Sequence, residues 1–184
     1  MIRAFVAIAL PAPAVPGLVS AQAGLPSGHP VPPENFHITI AFLGEHPEPV
    51  IEDVHLALEG LRAPGFSLCL SGAGLFGSGR PRLLYAGVQA EPGLRHLRKK
   101  VRRAARGAGL RLAGGRYRPH VTLARFSKAG LRGEEAREMA DFAARRMEFR
   151  AGPFDIGEFR LYRSTLGNSG PAYESLASYR LGGN

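Results

Sequence analysis

The chain has 184 residues, 45% apolar and 21% charged, enough to bury a core without staples. No stretch approaches the ~20 consecutive apolar residues of a bilayer-spanning helix, and the one cysteine, Cys69, excludes an internal disulfide or a cysteine-built zinc site. The net charge of +9 is carried by 21 Arg against only 3 Lys, a balance that favours a polyanionic partner, nucleic acid first.

Residues 2–10 read as a strand, with Val6, Ile8 and Leu10 on one face and Phe5 on the other. This run is at the lower limit for the core of a secretory signal and ends at Pro11. As a strand it implies a cytoplasmic protein. A helix over 14–24, a Gly/Pro-rich loop over 25–35, a strand over 36–43 and a helix over 48–62 follow. That helix has Val50, Ile51, Val54, Leu58 and Leu61 at helical spacing. Strands at 66–71 and 82–88 are joined by a glycine-rich loop over 72–81, which suits antiparallel pairing.

The helix over 92–108 has an apolar stripe of Leu94, Leu97, Val101, Ala104, Ala105 and Ala108, and seven cations from Arg95 to Arg106. Those cations read as a solvated face, with guidance of an RNA backbone as the alternative. A strand over 119–126, a helix over 133–147, a strand over 154–163, a loop over 164–172 and a strand over 173–181 complete the chain. The interleaving gives an α+β fold with antiparallel sheets, one domain over 1–184. His29, His46, His55 and His96 read as exposed, and Cys69 as a small buried residue between Leu68 and Leu70.

One internal repeat stands out. Phe36-His37-Ile38-Thr39-Ile40-Ala41 is matched by Pro119-His120-Val121-Thr122-Leu123-Ala124. Threonine occurs only three times in the chain, and two of the three sit in this pattern, so the match is no accident of composition. Residues two apart on a strand share a face. His37 and Thr39 therefore project together with Ile38 and Ile40 behind them, and His120 and Thr122 do the same in front of Val121 and Leu123.

Two such pairs related by a pseudo-two-fold would face each other across a cleft. Cleavage at phosphorus needs a base on the attacking oxygen and an acid on the leaving oxygen, and imidazole serves in either role near neutrality. Threonine hydroxyls can donate to the non-bridging oxygens. The residues alone supply an acid and a base without saying which is which. Catalytic zinc wants three ligands, and neither motif carries a further His, Asp or Glu on its cleft face, so no metal or other cofactor is expected.

These motifs resemble the two-histidine (2H) phosphoesterases, and most closely their RNA 2′,3′-cyclic phosphodiesterase branch, also called the 2′-5′ RNA ligase or LigT-like family. The resemblance covers nearly the whole chain. It includes Arg3-Ala4-Phe5-Val6-Ala7, Gly74-Leu75-Phe76, Leu161-Tyr162-Arg163-Ser164 and Tyr173-Glu174-Ser175-Leu176, and the 83-residue spacing between the histidines. It implies a bilobal α+β fold with antiparallel sheets lining a central cleft and helices packed outside. The cleft would hold the cyclic phosphate at an RNA end. His37 would be the proton donor to the ribose 3′-oxygen and His120 the acceptor that activates water, leaving a 2′-phosphomonoester.

Five positions after each histidine, the resemblance makes Phe42 a stacking partner for the terminal base and Arg125 a phosphate contact. An odd offset puts both on the wrong strand face, so a bulge or strand end must turn them back. Arg116 and Arg118, just before His120, are further candidates for phosphate. The expected partner is RNA ending in a 2′,3′-cyclic phosphate, with no membrane and no obligate protein partner, the enzyme acting as a monomer. Two other readings remain open: 2′-5′ RNA ligation in the same cleft, and an RNA-end-binding module without turnover.

Overall fold

A computed structural model describes residues 1–77, 79–167 and 170–182. In chain order the elements are β1 (Ile2–Ala9), α1 (Val15–Gln22), β2 (His29–Pro30), β3 (His37–His46), α2 (Glu48–Glu59), β4 (Phe66–Phe76), β5 (Leu83–Val88), α3 (Pro92–Gly107), β6 (His120–Arg125), α4 (Gly133–Ala144), β7 (Arg150–Ile156), β8 (Glu158–Gly167) and β9 (Gly170–Arg180). Eight strands lie in the order β7-β4-β5-β6-β3-β1-β8-β9, every pair antiparallel, and the two-residue β2 lies against β6.

The order is symmetric about its centre. β3-β1-β8-β9 forms one half and β6-β5-β4-β7 the other, joined by the single pair Ile38↔Val121. Two of the helices cross over. α1, which connects β1 to β3, packs on β6, and α3, which connects β5 to β6, packs on β3. Where the central ladder stops, side chains satisfy its carbonyls. The Tyr117 hydroxyl donates to Thr39 O at 3.0 Å, and Gln22 Nε2 donates to Leu123 O at 2.6 Å and Val31 O at 2.8 Å.

The helical periodicity holds. Ile51, Val54 and Leu58 of α2 and Leu94, Leu97, Val101 and Ala105 of α3 are buried, each large one contributing about 1.5–3 kcal/mol. α3 begins as its sequence dictates, with Pro92 in the first turn and the Glu91 carboxylate accepting from Gly93 N at 2.9 Å. β1 is buried from Ala4 to Ile8, because helices cover one face and the aromatic wall of the cleft covers the other.

Three stretches depart from the sequence expectations. The glycine-rich 72–76 segment is strand. Gly72, at φ +69°, sits in a bulge between the Leu70↔Val88 and Ala73↔Ala86 pairs. Gly74 then lies beneath the Tyr85 ring, where a Cβ would come within 2.6 Å of the hydroxyl. The stretch 154–163 is two strands: the chain leaves the edge of one half at Ile156, turns at Gly157, and enters the other half as β8. The 164–172 segment is mostly a hairpin, paired through Gly167↔Gly170, with positions 168 and 169 outside the described residues. In addition, Cys69 is half-buried rather than buried. His46 and His55 are also half-buried, His46 Nε2 lying 2.9 Å from Leu43 O and His55 Nδ1 2.9 Å from the Tyr179 hydroxyl.

Candidate active site

β3 opens on His37 and alternates as expected, with Ile38 and Ile40 buried and His37 and Thr39 half-buried on the other face. Its pairing with β1 then steps from Ala7↔Thr39 to Val6↔Ala41, leaving Ile40 as an extra residue. Ile40 and Ala41 are both buried, and the alternation resumes out of phase, which turns Phe42 to the histidine side. β6 repeats the device. Its pairing with β5 steps from Tyr85↔Thr122 to Leu84↔Ala124, Leu123 and Ala124 are both buried, and Arg125 returns to the face of His120 and Thr122.

His37, Thr39 and Phe42 from one strand and His120, Thr122 and Arg125 from the other thus line one cleft of about 880 Å³. The antiparallel Ile38↔Val121 pair puts His37 on the side of Thr122 and His120 on the side of Thr39. Each Nδ1 donates to the carbonyl two residues earlier, His37 to Asn35 O at 2.7 Å and His120 to Arg118 O at 2.8 Å. A carbonyl can only accept, so the proton on Nδ1 is fixed and Nε2 is the nitrogen each ring has left for chemistry.

Aromatic rings hold both imidazoles. Phe5 and Tyr173 lie 5.0 and 5.1 Å from the His37 ring, and Phe76 and Tyr85 lie 4.9 and 5.6 Å from the His120 ring. Burial pushes His37 down to about 4, with the charges of Arg125 and His120 adding to the fall against its bond to Asn35. His120 is lowered as well, by burial first and then by Arg125 and Arg118. Among the residues lining the cleft, Arg3, Arg125 and Lys128 are cations and Glu45 is the one carboxylate, an anion-favouring balance. Arg125 Nη2 donates to the Tyr173 hydroxyl at 3.4 Å.

The His37 environment makes folding pH-dependent. An unfolded imidazole holds its proton up to about pH 6.5, whereas the folded ring releases its own down to about 4. Between those values the unfolded state binds more protons, so stability rises with pH, with a slope from this group approaching about 1.4 kcal/mol per unit. Denaturant unfolding between pH 4 and 6.5 should show a flatter dependence for His37→Asn than for wild type. Equal slopes would remove the account of this buried ring.

Arg116 and Arg118 do not line this cleft. They line an adjoining hollow that shares Thr39, Phe42, Phe76 and His120 with it. Arg118 lies over the Phe76 ring at 5.1 Å and donates to the Tyr85 hydroxyl at 3.1 Å.

The family model of the 2′-5′ RNA ligase superfamily matches residues 18–168. The chain belongs to that superfamily. Similar curated proteins carry the name RNA 2′,3′-cyclic phosphodiesterase. One from Aeropyrum pernix is 36% identical, over 78% of this chain and 80% of that protein. Another, from Thermus thermophilus, is 33% identical over 98% of this chain and 91% of that protein. Escherichia coli LigT in complex with 3′-AMP superposes with a TM-score of 0.73 at 28% identity, covering 98% of this chain and 97% of that one.

In this 2′-5′ RNA ligase superfamily member, the aromatic settings of the two histidines were not legible in the sequence. Phe5 was placed on the face opposite Val6 and Ile8, which is the cleft face. Phe76 fell in an expected loop, and Tyr85 and Tyr173 sat in strands with nothing local to bring them to a histidine. The pairing β4-β5-β6-β3-β1-β8-β9 brings them there.

Proposed function

We propose that this protein hydrolyses the 2′,3′-cyclic phosphate at an RNA end to a 2′-phosphomonoester by metal-independent general acid–base catalysis. The observation that carries the reading is the pair of imidazoles in one cleft, each with Nδ1 committed to a backbone carbonyl and Nε2 left for substrate. His120 Nε2 takes a proton from water as its oxygen attacks phosphorus. His37, protonated on Nε2, gives its proton to the departing 3′-oxygen as the P–O3′ bond breaks. The products are a 3′-hydroxyl and a 2′-phosphate, and solvent restores both rings.

The donor role of His37 and the acceptor role of His120 follow the family resemblance, and both rings are depressed before substrate binds. Phosphate charge placed between the rings offsets the Arg125 charge that disfavours protonation. Arg125 and the hydroxyls of Thr39 and Thr122 donate to the non-bridging oxygens as charge builds there. Phe42, 69% exposed at the rim, offers its face to the terminal base. The names of the similar curated proteins and the 3′-AMP complex of the similar LigT support the substrate class. No helix among the described residues is long and apolar enough to cross a membrane, and the proposed enzyme acts as a monomer in the cytoplasm.

The test is a short oligonucleotide ending in a 2′,3′-cyclic phosphate, incubated in excess chelator with RNA carrying a 5′-hydroxyl. A 2′-phosphate product supports the reading. A joined strand as main product moves the assignment to ligation, and an unchanged cyclic end refutes catalysis.

A further inference from the structure

The hollow beside the catalytic cleft has about 290 Å³ of space and an unusual wall. Arg98 and Arg102 reach it from α3, and Arg116 and Arg118 from the loop before β6. No Asp or Glu lines it. Ion pairing does not neutralise these groups either, because the salt bridges among the described residues are His55–Glu59 and Arg160–Glu158.

Three of the four guanidiniums are held in place, Arg118 by the Phe76 and Tyr85 contacts already described. Arg98 lies 4.2 Å over the Tyr117 ring, with its Nε buried and unpartnered. Arg102 donates to Ala113 O at 2.9 Å, which ties α3 to the loop. Arg102 is lowered by burial first and then by the charges of Arg98 and Arg106. The loop between them, Gly114-Gly115, leaves open space where side chains would stand. Aromatic faces from Phe42 and Phe76 line the passage from this hollow to the catalytic cleft.

We infer that this hollow is a second subsite, which takes the phosphodiester and nucleotide 5′ to the cyclic end and makes the enzyme selective for RNA strands over cyclic mononucleotides. The inference rests on the function proposed above. A strand whose 3′ end sits between His37 and His120 carries its next phosphate a nucleotide's length away. The shared wall of Thr39, Phe42, Phe76 and His120 leads from the cleft into a space where cations have no internal anion. Three held guanidiniums and the exposed Arg116 suit a backbone phosphate, and the rings suit bases of any sequence. Two of the cations in the α3 run are thus walls of a groove rather than parts of a solvated face.

The experiment compares a 2′,3′-cyclic mononucleotide with a tetranucleotide ending in the same cyclic nucleotide, in wild type, Arg116→Glu and Arg116→Lys. Arg116 is exposed, so neither change disturbs packing. Wild type should favour the tetranucleotide in kcat/KM by roughly tenfold or more at low salt, mainly through KM. Arg116→Glu should erase most of that preference, and Arg116→Lys should keep much of it. The log–log salt dependence for the tetranucleotide should flatten by about 0.7 for the lost cation. If wild type shows no preference, or Arg116→Glu leaves the preference and salt slope intact, the subsite is refuted while the hydrolytic reading stands. If wild type cleaves neither substrate, the hydrolytic reading falls and takes the subsite with it.

Discussion

His120→Ala or His37→Ala is expected to lower kcat on a cyclic-ended oligonucleotide by about 10²–10⁴-fold, with the fold preserved. Each ring is fixed by one Nδ1 bond and by aromatic neighbours, so Nε2 is positioned before substrate arrives. The one carboxylate among the residues lining the cleft, Glu45, lies eight residues beyond His37 near the end of β3, so no carboxylate adjoins either ring in sequence to take over. In wild type, kcat/KM against pH should be bell-shaped, since one imidazole must be charged and the other neutral. It reports the free enzyme, in which both rings are depressed, so the optimum should lie below about pH 6.5. Single-turnover rates and the pH profile of both variants check this. Activity within a few-fold of wild type in either variant would remove the two-imidazole mechanism.

Arg125→Ala should cost about 10²–10³-fold in kcat, the scale of removing one preorganised donor to a developing anion. Its sign can be checked separately. Arg125 lowers both histidines, so removing it should move both limbs of the kcat/KM profile toward higher pH. A change that merely weakened folding would lower the rate without that shift. Arg125→Lys should recover part of the rate, because an ammonium keeps the charge but not the planar fork that reaches Tyr173 and a phosphate together. An unshifted profile in Arg125→Ala would show that the guanidinium does not act on the imidazoles.

Most of the cleft was readable because its chemistry is repeated on strands, where period-2 alternation assigns faces. The same alternation condemned Phe42 and Arg125 to the wrong side. The consecutive buried pairs Ile40-Ala41 and Leu123-Ala124 mark the positions where each pairing steps and the alternation changes phase. The segments that depart from their local pattern depend on distant partners. The 72–76 segment looked like a loop because glycine is a poor strand residue, yet Gly74 is there to admit the Tyr85 ring. The 154–163 segment looked like one strand because nothing but Gly157 marks the crossing between halves. His55 looked exposed on a helix, and Tyr179, far along the chain, covers it.

The lone Ile38↔Val121 bridge has a consequence for catalysis. A continuous ladder would hold the two reacting strands at a set separation along their whole length. Here a single stitch does so, and beyond it the Thr39 carbonyl of β3 takes a phenol from the segment just before β6. The span between the two histidines is therefore gauged in part by Tyr117, a side chain that does not line the cleft holding both imidazoles.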